Sequence, residues 1–163
     1  MSSGTSTWLL WLFVINLGIA FGAGLYEHRI VVSDWIATSP DGAHWNADVA
    51  RKDDTGRRFW VFVTTVPLTL LTIANTYAAW HAIGPLRFWW LAAAVADRMF
   101  TFAYFIPAMV SLTNAPDSPE AASAAIRWSH LNYFRHAIVL VAWLAALQAF
   151  ALVHRYAASS PQR

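Results

Sequence analysis

Residues 8–26 read WLLWLFVINLGIAFGAGLY, and no Asp, Glu, Lys or Arg occurs anywhere before Glu27. A helix rises 1.5 Å per residue, so about 20 mostly apolar residues cross the hydrocarbon core of a bilayer. Two more stretches meet that test without a charge, Phe59 to Trp80 and Ala137 to Val153. A fourth, Phe88 to Leu112, is long enough but carries Asp97 and Arg98. The pattern predicts an all-α integral membrane protein, multi-pass in the cell membrane. It is read as a single transmembrane four-helix bundle over residues 1–163, with antiparallel neighbours and spans at about 8–37, 59–81, 88–112 and 128–156.

Composition supports this reading. Only 12% of the chain is charged, about half of what a soluble domain carries. A cleaved signal peptide would need a basic leader and a shorter apolar core; residues 1–7 hold no Lys or Arg, so a retained helix is expected. With no cysteine, disulfides, thiolate metal sites and thiol-based quinone reductases are excluded. A net charge of +2 without a basic, aromatic-interleaved patch points away from nucleic acid.

Helix one is expected to run unbroken to about Ala37, because Ser39-Pro40 is the first breaker. Residues 38–58, with Pro40-Asp41-Gly42 and Arg51-Lys52-Asp53-Asp54, read as a polar connection between helices one and two. Gly84-Pro85 predicts a tight turn between helices two and three. Asn114 to Pro119 ends helix three, and Pro119-Glu120 opens a short helix merging into helix four, followed by a disordered tail. Pro67 and Pro107 predict kinks, and Gly18-x-x-x-Gly22 predicts close helix packing. Loops one and three hold Arg29, Arg51, Lys52, Arg57, Arg58 and Arg127, against Arg87, Arg155 and Arg163 on the other side. That excess places loops one and three in the cytoplasm. Trp8, Trp60, Trp89 and Trp90 fit an interfacial aromatic belt, and His44, His81 and His154 read as ordinary interfacial groups.

Ionisable groups inside spans mark function by default, because each costs several kcal/mol when unpaired. Asn16, Ala20, Ala23 and Glu27 share one stripe of helix one, with His28 beside it. Thr65, Thr69, Thr72 and Thr76 share a stripe of helix two. They serve either their own helix backbone or a pocket wall. On helix three, Asp97, Thr101 and Tyr104 share a face, and Arg98 lies about 15 Å in from the nearer surface. Its carboxylate partner is Glu27 or Asp97. On helix four, Trp128, Asn132 and Arg135 stack at i, i+4 and i+7, with His136 next to them. Glu27, Thr65, Arg135 and His136 fall in the half toward loops one and three, Arg98 can reach toward them, and Trp35 and Trp45 of the first connection are placed to cover them.

The segments Gly22-Ala-Gly-Leu-Tyr-Glu-His-Arg29, Phe59-Trp-Val-Phe-Val-Thr-Thr-Val-Pro67, Arg98 with Phe102-Ala-Tyr-Phe-Ile-Pro107, and Asn132-x-x-Arg135-His136 resemble the anthrone-oxygenase-like family of small four-helix membrane proteins. The resemblance covers nearly the whole chain. It implies a membrane-embedded oxidoreductase, a monooxygenase on a hydrophobic aromatic or enolisable substrate that uses O2 without a cofactor. Glu27, Arg98, Arg135 and His136 are then the catalytic candidates. Asn132, Trp128, Tyr104, Thr65 and Asp97 are the substrate-binding candidates. His28 stands where the family more often has another residue. Two rival readings remain. In one, Glu27, His28 and His136 hold a metal or haem, although no Glu-x-x-His pair is present and the arginines would repel a cation. In the other, the chain is a non-catalytic membrane subunit or lipophile-binding protein, alone, as a homo-oligomer or within a larger membrane complex.

Overall fold

The computed structural model of the protein describes residues 3–79 and 85–159. Long helix one comprises α1 (Ser3–Tyr26), a π-helical turn (Glu27–Val31) and α2 (Val32–Trp35). A hairpin follows, β1 (Ile36–Ser39) and β2 (Gly42–Trp45), and then α3 (Ala47–Asp53). Long helix two is a π-helical segment (Gly56–Thr65) continued by α4 (Val66–Ala79). Long helix three is α5 (Pro85–Phe100), a π-helical turn (Thr101–Phe105) and α6 (Ile106–Asn114), and long helix four is α7 (Pro119–Ser159). Among the described residues four stretches are long and apolar enough to cross a membrane: Thr7–Trp35, Gly56–Tyr77, Leu91–Asn114 and Pro119–Leu152.

Two expectations change at the first connection. Helix one stops at Trp35 rather than near Ala37, because Ile36 is already extended (φ −117°, ψ 91°). β-branched Ile36 and Thr38 suit a strand, and Ser39-Pro40-Asp41-Gly42 closes a hairpin with Ile36 opposite Trp45 and Ser39 opposite Gly42. Gly42 takes φ +138°, which an L side chain rarely adopts. Residues 38–58 are therefore largely ordered structure, not a plain polar loop. Asn46 caps α3 through Val49 N (3.1 Å), and Asp54 ends it in the left-handed region. Helix two consequently starts at Gly56, not Phe59. Helix four is continuous from Pro119, where proline fits a first helical position and Ser118 Oγ accepts from Ala121 N at 3.1 Å. The expected turn at Gly84-Pro85 and the end of helix two at His81 lie outside the described residues, as do residues 160–163 of the tail.

The hairpin is tied to the loop between helices three and four. Asp117 accepts from Trp45 N (3.0 Å) and sits 3.1 Å from His44 Nδ1, while Trp45 Nε1 donates to the Leu112 carbonyl at 2.8 Å. His44, expected to be a plain interfacial group, also contacts Ser39 Oγ at 3.0 Å. Its bond to Asp117, and then the charges of Asp117 and Asp41, hold its pKa above the ordinary histidine value. The Trp45 N–H, and then His44, hold Asp117 below the usual carboxylate range.

Helix one packs on helices two and four, helix three packs on helix four, and α4 packs on α5. Apolar side chains cover the outside as well: Phe62, Leu70 and Ile73 are more than half exposed, a surface that suits lipid. The interior is split. One apolar cluster gathers Phe13, Leu17, Leu68, Ala142 and Ala146. The other gathers Trp35, Trp45, Phe105, Ala125 and Trp128 beneath the hairpin and α3.

Pro67 and Pro107, the positions expected to kink, each stand two residues after the end of a π-helical segment. Proline cannot donate to the carbonyl four residues back; for Pro67 that carbonyl is Val63 O, and Asn16 Nδ2 donates to it at 2.8 Å. Of the threonine stripe, Thr69, Thr72 and Thr76 donate to the carbonyls of Thr65, Leu68 and Thr72. Gly18 packs on Trp143, and a methyl group added there would stand 3.2 Å from the indole, whereas Gly22 faces open space. The closest approach on helix one falls instead at Gly24, against His136.

Candidate functional site

Between the two apolar clusters lies a cavity of about 450 Å³. Ala20 and Val139 belong to its wall on one side, Trp35, Phe105 and Trp128 on the other. All three π-helical segments contribute: Glu27 from the first, Trp60, Thr64 and Thr65 from the second, Thr101 and Phe105 from the third. A π turn carries one more residue than an α turn and is frequent at functional sites. Here it swings polar side chains of three different helices onto one space.

Glu27 enters at the start of its π turn. Its carboxyl group accepts a hydrogen bond from Thr55 Oγ1, with the Trp60 side chain and Arg135 as its electrostatic neighbours. Arg135 projects from helix four between two rings, its guanidinium carbon 4.6 Å from the Phe105 centroid and 5.9 Å from that of Trp60. Cation–π contact favours such a placement. Among the described residues Arg135 has no carboxylate at ion-pair distance and no hydrogen-bond acceptor.

Asp97 and Arg98 pair with each other despite being adjacent in sequence. Arg98 Nε (3.1 Å) and Nη2 both donate to Asp97 Oδ2. Asp97 Oδ1 and Arg98 Nη1 are buried with no partner, an arrangement that costs about 1–3 kcal/mol per group. Glu27, the other carboxylate offered for Arg98 by the sequence, is engaged with Thr55 and Trp60. His136 is 6% exposed, lines the cavity and stands close against Gly24 of helix one.

The four catalytic candidates Glu27, Arg98, Arg135 and His136 thus share one cavity wall, joined by Trp128, Thr65 and Asp97 of the binding candidates. Two candidates do not reach it. Tyr104 packs edge-on against Phe105 (5.2 Å) and on the second apolar cluster. The π turn is the cause: its longer period carries the face of Thr101 to Phe105, not to Tyr104. Asn132 is buried with Oδ1 unpartnered but is not part of the wall. Trp128 one turn before it and His136 one turn after it are longer and reach the cavity instead. His28 lies behind His136, its ring 3.9 Å from Tyr133 and 6.0 Å from His136. Glu27, His28 and His136 do not form a ligand set: among the described residues no group of three or more His, Asp or Glu is placed to hold a metal ion.

Sequence reasoning missed Thr55, Trp60 and Phe105. Trp60, expected in the interfacial belt, lines the cavity and contacts both Glu27 and Arg135. Trp45, expected to cover the site, is buried in the second cluster, whereas Trp35 reaches the wall and donates to Asp53 Oδ2 at 2.8 Å. The chain matches no protein-family model, no curated protein and no solved structure.

Proposed function

We propose that the chain is an integral membrane four-helix bundle whose first and third connections face the cytoplasm. On this reading its cavity is the active site of an anthrone-oxygenase-like enzyme. The observation that carries the proposal is the meeting of two candidate bases, Glu27 and His136, with Arg98 and an ion-pair-free Arg135 in one largely apolar space. Packing alone requires no such meeting, and buried charge without a partner is costly.

The chemistry these groups suit is oxygenation of a carbon acid. A base removes a proton from a CH2 group made acidic by a conjugated carbonyl. The negative charge moves to the carbonyl oxygen, where the Arg135 and Arg98 guanidinium charges stabilise it. The carbanion form bonds to O2, and the conjugate acid of the base returns the proton to give a hydroperoxide. Loss of the second C–H proton with cleavage of the O–O bond leaves a ketone and water. The balance is CH2 + O2 → C=O + H2O, with O2 as the oxidant. Trp60, Phe105 and Trp128 supply flat apolar walls for a ring system.

The test is oxygen uptake by the purified chain in nanodiscs with anthrone-type carbon acids. General-base catalysis contributes about 10²–10⁴-fold, so Glu27→Gln or His136→Gln is expected to lower turnover by such a factor while the protein stays folded. Unchanged turnover in both variants removes them as bases. Ligand binding without oxygen uptake would make the cavity a lipophile-binding site instead.

A further inference from the structure

Helices two and three touch where α4 packs on α5, but toward the connection they part: no comparable packing joins the π segment Gly56–Thr65 to Thr101–Phe105 or to α6. The cavity fills that gap. Its wall there is made of residues that also face outward. Ile106 and Val110 are 40% and 57% exposed while lining the cavity; on helix two the exposed wall residues are Gly56 and Arg57, at its connection end. Ile106 stands eight residues before Asn114, the last residue of α6, hence about 12 Å below that end. One leaflet of hydrocarbon is about 15 Å thick. The opening therefore reaches well into the apolar layer, whereas a mouth facing only water would be confined to the last turn. Above it, Arg51 donates to the Thr113 carbonyl and to Asp48, tying α3 across the top of α6.

We propose that the cavity is loaded sideways from the bilayer, through the slit between helices two and three. The occupant is a lipid-dissolved, ring-bearing molecule with one anionic or enolisable oxygen, which comes to rest on Arg135 and Arg98. The nature of that oxygen rests on the catalytic reading above; the route does not. A slit with apolar lips on helix three and unpartnered donors at its inner end selects against hydrophilic anions, which cannot cross the lips, and against plain hydrocarbons, which leave the arginines unsatisfied.

The chain has no cysteine, so a single reporter thiol can be placed at Ala20, a wall residue seven positions before Glu27 and so about 10 Å deeper. The full chain carrying Ala20→Cys, in nanodiscs, is labelled with N-phenylmaleimide, which dissolves in the bilayer, or with a sulfonated maleimide, which does not. N-phenylmaleimide is expected to react and the sulfonated reagent to lag far behind. Adding Ile106→Trp and Val110→Trp to plug the slit is expected to slow N-phenylmaleimide by at least about tenfold, which is about 1.4 kcal/mol in barrier height. Leu70→Trp with Leu144→Trp, an equal load at exposed positions of helices two and four outside the cavity wall, is expected to change nothing and controls for folding. Equal rates for the two reagents, or a plug without effect, overturn sideways loading in favour of an aqueous route. Because labelling needs no turnover, either result leaves the oxygenation test to stand or fall separately.

Discussion

Replacing Gly24 by alanine is expected to strike the site through packing alone. A Cβ at Gly24 would lie 2.4 Å from His136 Cε1 and 2.9 Å from Nδ1. Carbon contacts settle at about 3.5–4.0 Å, so ring and helix must separate by about 1 Å or more, and the free direction for the ring is into the cavity. Overpacking of this kind costs about 1–3 kcal/mol, against which alanine regains up to about 1 kcal/mol of helix propensity over glycine. Gly22→Ala is the matched control. Nothing lies within 4 Å of a Cβ there, so only the propensity gain remains. Unfolding midpoints in detergent should place Gly24→Ala below Gly22→Ala by a difference of about 1–3 kcal/mol. Turnover or ligand occupancy should fall in Gly24→Ala only. Equal stability in the two variants would refute the contact between helix one and His136 on which the site's geometry rests.

Asn16→Leu should destabilise by about 1–3 kcal/mol, the cost of leaving the Val63 carbonyl without its donor. In the Pro67→Ala background, where a backbone N–H is restored to that carbonyl, the penalty should shrink; additive effects in this double-mutant cycle would deny the link. Arg98→Ala removes the ion-pair partner of the Asp97 carboxylate, 2% exposed, and should cost about 3–5 kcal/mol. Arg98→Ala combined with Asp97→Leu should recover much of that loss, and no recovery would mean the pair is not coupled. At the hairpin, the pKa of His44 is raised above 6.5 and those of Asp117 and Asp41 are lowered below 3.8. The histidine's contribution to stability is fully present below pH 6.5 and is lost as pH rises through its raised pKa. The carboxylates' contribution is present above pH 3.8 and is lost as pH falls through their lowered pKa values. The contact is therefore strongest between those two limits. An NMR titration of His44 should show the raised value, and Asp117→Asn should bring it down; no change in that variant would remove Asp117 as its partner.

The four long apolar stretches were legible because three of them rest on charge-free length and the fourth on length with a single charged pair, and the described helices long and apolar enough to cross a membrane follow them closely. What escaped was local. Pro40-Asp41-Gly42 reads by itself only as a helix breaker. Each strand of the hairpin has four residues, and their pairing is held by Asp117, which no local pattern connects to Trp45. The candidate site was legible from most of the ionisable groups in the apolar stretches: Glu27, Asp97, Arg98, Arg135 and His136 reach one cavity, whereas His28 stands behind His136. Face assignments failed where a regular 3.6-residue period was assumed. On helix three the wall residue is Phe105 rather than Tyr104, because the turn from Thr101 is π-helical. On helix two the same change of period brings Trp60 inward from the belt. The nearest signals in the sequence are the prolines, Pro67 beyond Trp60 and Pro107 beyond Tyr104. A proline marks where a helix loses a hydrogen bond, but it does not say how far back along the helix the altered period extends.

Three helices abandon the α period at one level of the molecule, and at that level the apolar interior is interrupted rather than filled. Simple packing does not account for this, since close-packed interiors leave few voids larger than a water molecule, and a core of alanines and leucines such as the one around Phe13 and Ala142 could have continued through. The polar groups at the gap are also incompletely matched. Arg98 spends two donors on one Asp97 oxygen and leaves the other oxygen and its own Nη1 idle, and Arg135 meets rings instead of an anion. A structural ion pair would be expected to use both carboxylate oxygens, as a bidentate contact does. The ring-flanked Arg135 and the cavity occur together, and a bound molecule with one anionic oxygen and a flat apolar body would answer the guanidinium and fill the space at once.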